Sequence, residues 1–172
     1  LRGDDDKGKS AEALINRYTA IVMAQPGSPF PLQRLAQLYR ERDGNLKKLI
    51  EELEKRAAAT GDDAWPAKVA LAGALKQDGK YDEAVKAYDA AIAAKPKESA
   101  PLMDLAQLEF DRGDKKAARG HYEKALPLLK EAAEIEQLTR TLMQVCLDLK
   151  DVEAARTHHT SLVKKSQGSL FV

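Results

Sequence analysis

Side chains that could carry out catalysis or hold a metal are few in this chain and poorly spaced for either role. The three histidines are His121, His158 and His159. Neighbouring residues on a helix point about 100° apart, so His158 and His159 are badly placed to share one metal ion. The glycines stand where turns are expected, and none forms a phosphate-binding loop. The sequence therefore predicts a protein with no catalytic residues, metal or cofactor, and argues against an enzyme.

The single cysteine and the charge balance exclude further classes of protein. Cys146 has no partner for a disulfide within the chain, and it lies on the apolar stripe of an expected helix as a small core residue. The 28 basic and 27 acidic residues give a net charge of +1, which argues against a nucleic-acid partner. No apolar run approaches the roughly 20 residues that span a bilayer. We expect a soluble protein without membrane insertion, in a compartment that the sequence leaves open.

One stretch of the sequence occurs twice. Residues 79–92 read GKYDEAVKAYDAAI, and residues 113–126 read GDKKAARGHYEKAL. Four matching positions recur 34 residues later: Gly79, Ala84, Tyr88 and Ala91 become Gly113, Ala118, Tyr122 and Ala125. A period in this range is typical of solenoids, in which each repeat buries its apolar face only against its neighbours.

The first copy belongs to a helical hairpin. Leu71 and Leu75 share one face of a first helix, and Gly79 allows the chain to turn after it. A second helix carries apolar residues at three- and four-residue spacing from Ala84, and Pro96 ends it. The pattern therefore predicts a helix, a tight turn and a second helix.

These residues resemble the tetratricopeptide repeat family. The resemblance rests on the small residue Ala72, the turn glycine Gly79, the trio Ala84, Tyr88 and Ala91, and the closing Pro96. It is strong over residues 64–130, moderate over 29–62 and 133–166, and weak over 10–26. It implies an all-α fold, a right-handed solenoid of helical hairpins with about four repeats and a leading half repeat.

The repeat register also divides the chain into segments. They are a disordered lead-in (1–9), an unpaired helix as a half repeat (10–28), four repeats (29–62, 63–98, 99–131 and 132–167) and a tail (168–172). In the first full repeat Leu49 and Leu53 replace the alanine and tyrosine of the trio, so its helices should lie further apart. The last repeat starts three residues late, which should lengthen a helix there, and His159 takes the place of the tyrosine. The half repeat and the apolar end at Val172 indicate a fragment of a longer array or a chain whose ends meet another molecule, unless a marginal first helix escapes the pattern.

In this family the first helices line a concave groove that binds a peptide or a partner's helix. The resemblance places partner-binding residues at Gln33, Arg34, Gln37, Arg40, Val69, Gly73, Lys76, Gln77, Met103, Asp104, Gln107, Phe110, Asp111, Arg140 and Gln144. The same register includes Glu41, Ala70, Thr141, Leu147 and Asp148. The lysines and asparagines with which one subgroup grips a C-terminal carboxylate are absent.

Two features of this groove have more than one interpretation. Gln37, Gln107 and Gln144 share one position of three repeats, and their amides could bond a peptide backbone or could simply be good exposed helix formers. Phe110 and Met103 indicate an apolar anchor pocket, unless Phe110 packs against the adjacent turn.

The sequence therefore predicts a non-catalytic protein–protein interaction scaffold, which binds a peptide or helix of a protein partner in the concave groove. The alternative is a structural spacer or self-assembly segment of a larger multi-repeat protein, with self-association through the open solenoid ends. A third reading, RNA binding by related helical hairpins, is disfavoured by the balanced charge.

Overall fold

The computed structural model describes the backbone of residues 2–169 and the side chains of residues 10–164. Within this part of the chain the regular structure is helical, with no strand. The α-helices are α1 (Arg2–Ala24), α2 (Pro29–Asp43), α3 (Lys47–Ala58), α4 (Ala64–Gln77), α5 (Tyr81–Ala94), α6 (Ser99–Asp111), α7 (Lys115–Ala125), α8 (Ala132–Asp148) and α9 (Val152–Ser169). The predicted all-α class of helical-hairpin repeats is confirmed.

The helices belong to two compact units, each with its own packing. Unit 1 is Leu1–Pro96 and contains α1 to α5, and unit 2 is Lys97–Val172 and contains α6 to α9. In the hairpins α4/α5, α6/α7 and α8/α9 the two helices approach each other along most of their length.

The Ala–Tyr–Ala trio explains this close approach. Ala84, Tyr88 and Ala91 are at most 1% exposed. Their counterparts in α7 are buried in the same way. The alanines let two helix backbones come close, and the tyrosine fills the space that remains. α2 and α3 approach closely at only a few positions, as expected where Leu49 and Leu53 take the place of small and aromatic residues.

The start of the chain differs from the prediction in two ways. α1 begins at Arg2, so the segment predicted as a disordered lead-in is helical from that residue onward. The helix predicted to be unpaired packs along α2 and also contacts α4.

The end of the chain also departs from the expected pattern. α7 ends at Ala125 and a 3₁₀ turn, Leu126–Leu128, follows at the displaced Pro127. α8 then runs for 17 residues, compared with 13 in α6, so the extra residues lengthen a first helix. His159 is exposed and does not fill the tyrosine position. Residues 168 and 169 of the predicted tail belong to α9, and the last three lie outside the described residues.

Three hairpin turns share one hydrogen-bond geometry. After α4, α6 and α8 a backbone N–H returns to the carbonyl five residues earlier: Lys80 to Leu75 at 3.0 Å, Asp114 to Glu109 at 2.9 Å and Asp151 to Cys146 at 2.8 Å. The residue before each donor has a positive φ: 78° at Gly79, 88° at Gly113 and 61° at Lys150. The last repeat therefore has a lysine at the turn position where the other two repeats have glycine.

Candidate partner-binding surface

Part of the predicted groove lies inside unit 1 and not on its surface. Val69 is 2% exposed, and Ala70 and Gly73 are also buried. A Cβ atom at Gly73 would collide with the side chain of Leu32, which projects from α2. The glycine therefore accommodates a neighbouring helix where a partner was expected, and the assignment of Val69 and Gly73 as surface contacts is wrong.

The other predicted residues of unit 1 lie on α2 and at the C-terminal end of α4. Gln33, Gln37 and Arg40 are exposed, and Arg34, Lys76 and Gln77 are partly buried. Arg40 Nη2 donates to the carbonyl oxygen of Gln77 at 2.8 Å, which ties α2 to the C-terminal end of α4. This surface is basic, because Arg34, Arg40 and Lys76 face a single carboxylate, Glu41, among the predicted positions.

Unit 2 presents its first helices differently. On α6, Gln107 and Asp111 are exposed, and Met103, Asp104 and Phe110 are partly buried. On α8, Arg140 and Gln144 are exposed, and Leu147 is 45% exposed. α6 and α8 do not pack directly on each other, because α7 packs against both. We call these residues, with Asp148 and Lys115, the unit-2 surface.

The three glutamines of the shared register have the same local geometry. Each side-chain Nε2 donates to the acid four residues later: Gln37 to Glu41 at 2.8 Å, Gln107 to Asp111 at 2.7 Å and Gln144 to Asp148 at 2.9 Å. These bonds hold each amide along its helix and add to helix stability. They also support the view that the glutamines serve the helix itself.

Gln107 is additionally held from the core. Tyr122 of the buried trio donates its hydroxyl to Gln107 Oε1 at 3.1 Å. Burial, with the charge of Asp111, raises the pKa of Tyr122, so the hydroxyl stays protonated and remains a donor. A core side chain thus orients a surface amide, which limits the motion that a partner would otherwise have to restrict.

A lysine links α6 and α8 across the unit-2 surface. Lys115 Nζ donates to Asp148 Oδ2 at 2.6 Å and lies 5.6 Å from the centre of the Phe110 ring. The hydrogen bonds from Lys115 and Gln144 hold the pKa of Asp148 below its usual value. The ring of Phe110 and the carboxylate of Asp148 thus form two sides of a site for a cation, and Lys115 occupies it.

Lys115 was not among the residues predicted from the sequence. It is the first residue of α7, a second helix, and the repeat register draws attention only to first helices. The equivalent residue in unit 1 is Tyr81. Lys115 begins a second helix and Asp148 ends a first helix, so the two residues are not equivalent in their repeats. A periodic pattern in the sequence does not indicate contacts between non-equivalent positions.

His121 and Cys146, which could bind a metal or act as a nucleophile, contact other residues of the protein core or of a neighbouring helix. His121 Nδ1 lies 2.7 Å from Glu109 Oε2, in a pair that joins α6 and α7. Cys146 is buried, and burial raises the pKa of its thiol. Among the side chains that the structure describes, no three of His, Cys, Asp or Glu form a metal-binding group. No helix in the described part of the chain combines the length and apolarity needed to cross a membrane.

Comparison with known proteins agrees with this architecture. Residues 65–108 match the model of the tetratricopeptide repeat family. A search among curated proteins found no match.

Similar solved structures include BtubC (BKLC) from P. vanneervenii, at 18% identity and a TM-score of 0.64 over 93% of this chain and 72% of that one. MamA is similar at 18% identity and a TM-score of 0.61 over 99% of this chain and 97% of that one. MamA from Desulfovibrio magneticus RS-1 is similar at 16% identity and a TM-score of 0.57, over 94% and 89% of the two chains. At these identities the likeness shows a common fold. Residues 65–108 are thus similar to a tetratricopeptide repeat, and helical hairpins lie on either side of this segment.

Proposed function

We propose that this protein is a non-catalytic interaction scaffold that binds a segment of a partner protein on the unit-2 surface. Repeats of this family are typically scaffolds of this kind. The observation that carries the proposal is the arrangement of α6 and α8, whose exposed faces are not covered by each other. Phe110, which is partly buried, and Leu147, which is exposed, offer apolar contacts there, each three residues after a glutamine.

The energetic basis of the proposal is a small apolar anchor with polar groups around it. Removing apolar surface from water contributes roughly 25 cal/mol per Å², so one well-covered side chain contributes about 1–2 kcal/mol to binding. Hydrogen bonds to Gln107 and Gln144 would then fix the register of the bound segment more than its affinity. A helix or an extended peptide with one apolar side chain at its centre fits this description.

The basic surface of unit 1 is a weaker candidate for the same role. α2 and α4 already pack on each other through Leu32, and Arg40 is bonded to the backbone of Gln77. A partner there would meet long charged side chains with little apolar surface between them. We therefore place the binding site in unit 2.

The alternative proposal, a spacer or self-assembly segment, has its own supporting observation. α9 exposes Val152 and Val163, at 50% and 38%. Self-association through this helix should be weakened by Val152→Lys, and gel filtration over a range of concentrations would detect it. A chain that elutes as a monomer at every concentration counts against this alternative.

The test of the main proposal uses two phenylalanines of the same chain. The immobilised protein selects binders from a display library of random short peptides, and affinities are then measured in solution. Phe110→Ala should weaken the selected peptides by at least about tenfold, the usual effect of losing a central anchor. Phe30→Ala is the matched control, because Phe30 is 67% exposed but lies at the start of α2.

The pattern of the two results decides the outcome. Loss of affinity with Phe110→Ala alone supports the unit-2 surface, provided that circular dichroism shows the same helical content. Equal affinity of the wild type and Phe110→Ala would refute the assignment, and so would the absence of any selected peptide.

A further inference from the structure

Resting on the function proposed above, we infer that the bound segment carries an arginine or lysine that replaces Lys115 between Phe110 and Asp148. The chemical class of the partner is therefore a cationic segment with an adjacent apolar side chain. Lys115 is the internal competitor that this cation displaces.

The site around Lys115 is composed of groups that attract a cation. An aromatic face and a carboxylate that both lie near one position are a favourable environment for a cation, since both attract positive charge. Asp148 is held in place by Gln144 at 2.9 Å, so the carboxylate keeps its position when the lysine leaves. Lys115 and Asp148 side chains are 39% and 25% exposed, so an incoming group can reach them.

The charges of the surrounding surface also favour a cation. Arg140 Nη2 pairs with Glu136 at 2.7 Å, and Lys115 pairs with Asp148, so both cations of this surface already face an anion. Asp111 receives its hydrogen bond from the neutral amide of Gln107, which leaves its negative charge in place. A partner with positive charge is therefore attracted, and an acidic segment is repelled.

Lys115 is held weakly enough to be exchanged for another cation. A partly exposed ion pair contributes little, because water screens it and a long side chain must be ordered to form it. A guanidinium would hold the site better than Lys115, since its planar group can stack on the ring and bond the carboxylate through two N–H groups. We therefore expect arginine to be preferred over lysine at this position of the partner.

The experiment begins with the peptides selected from the random library on the intact chain. Those that bind should be enriched in arginine or lysine next to an apolar residue. Their dissociation constants are then measured by fluorescence anisotropy for the wild type and for single variants. Asp148→Asn should weaken binding by about tenfold, because it removes a charge-assisted hydrogen bond. Lys115→Met should strengthen binding several-fold, because the competitor is gone and a side chain of similar length remains.

Glu134→Gln is the matched control. It removes one carboxylate from the exposed first turn of α8, away from Phe110 and Lys115, and should leave the affinity unchanged. If all carboxylate variants weaken binding equally, the effect is one of overall charge and the specific cation site is wrong. Circular dichroism checks that each variant is folded.

The results separate this inference from the proposed function. Selected peptides that are acidic or uncharged, but still depend on Phe110, would leave the scaffold proposal standing and overturn the cation site. Weaker binding with Lys115→Met would also overturn it, because the lysine would then be a contact and not a competitor. If no selected peptide depends on Phe110, both proposals fail.

Discussion

The first helices of the two units follow one sequence pattern but present different surfaces. In unit 1 the side chain of Leu32 fills the place next to Gly73, and α2 packs on α4. In unit 2 the equivalent position is Gln107, which projects from α6 and bonds to Asp111. A glycine at this position admits the neighbouring helix, whereas a glutamine keeps the face polar and accessible.

The two surfaces differ in charge as well as in packing. The predicted positions of unit 1 carry three basic residues and one acid, whereas the unit-2 surface carries three aspartates with Arg140 and Lys115. The near-zero net charge of the chain gives no sign of this local difference. Overall charge therefore says little about what each unit can bind, and the local balance is the informative quantity.

The largest expected effect tests whether the glycine closes the surface of unit 1. Gly73→Gln places a side chain where Leu32 lies, and overpacking of this kind typically costs about 1–3 kcal/mol of stability. Gly120→Gln is the control, since Gly120 is a helical glycine of α7 with open space around its missing Cβ. That control should be neutral or stabilising by up to about 1 kcal/mol, because glutamine is the better helix former.

Urea unfolding followed by circular dichroism measures both variants. If Gly73→Gln is as stable as Gly120→Gln, Leu32 can move aside at little cost. The difference between a closed and an open surface would then be one of side-chain conformation and not of helix packing.

The sequence predicts contacts within one hairpin better than contacts between repeats. The trio of Ala84, Tyr88 and Ala91 and the glycine of the turn act within one hairpin, so a local periodic pattern was sufficient for the fold. The contact of Leu32 with Gly73 joins two repeats, and the bond from Lys115 to Asp148 joins non-equivalent positions. A repeat register carries no information on such pairs.

The helix α1 shows the same limit within a single helix. The periodic pattern indicated Leu14, Tyr18 and Ile21 as its apolar stripe, whereas Ile15 and Val22 are the residues that are most buried. Both stripes have helical spacing, and they differ by one residue. Only the position of α2 and α4 decides which of them faces the core.

A smaller effect is expected at the turns, where the last repeat departs from the others. Lys150 holds a φ of 61°, a conformation that costs a side-chain-bearing residue about 1 kcal/mol. Lys150→Gly should therefore stabilise the chain by about 0.5–1 kcal/mol, less the greater entropy of glycine in the unfolded state. The reverse change, Gly79→Lys, should destabilise unit 1 by a similar amount, because Gly79 has a φ of 78° and no steric obstacle.

Chemical unfolding measures the change in stability that each of the two variants causes. Opposite signs of similar size would mean that the turns are equivalent and only their residues differ. A destabilising Lys150→Gly would mean that the lysine side chain makes a stabilising contact that outweighs the backbone cost.

The smallest expected effect is a dependence of stability on pH at the turn of the last repeat. The turn of unit 1 lacks the carboxylate that causes it. Asp151 Oδ1 accepts from the N–H of Ala154 at 3.1 Å, and Arg119 bonds to Oδ2 at 2.8 Å, whereas Lys80 stands at the equivalent place in unit 1. The N–H of Ala154, followed by Arg119, holds the pKa of Asp151 below its usual value. Since the folded-state pKa is lowered, the stability that it adds is complete above the unfolded pKa, about 3.9, and is lost as the pH falls through the folded value.

Asp151→Asn should keep an acceptor for the N–H of Ala154 but lose the charge. We expect a lower midpoint of thermal unfolding than the wild type at about pH 7, and a difference that shrinks toward zero below about pH 3. Asp89→Asn, an exposed change on α5, serves as the control and should give a smaller difference at neutral pH. A constant difference for Asp151→Asn at every pH would mean that the loss is one of geometry, since only a contribution from the charge disappears when the carboxylate is protonated.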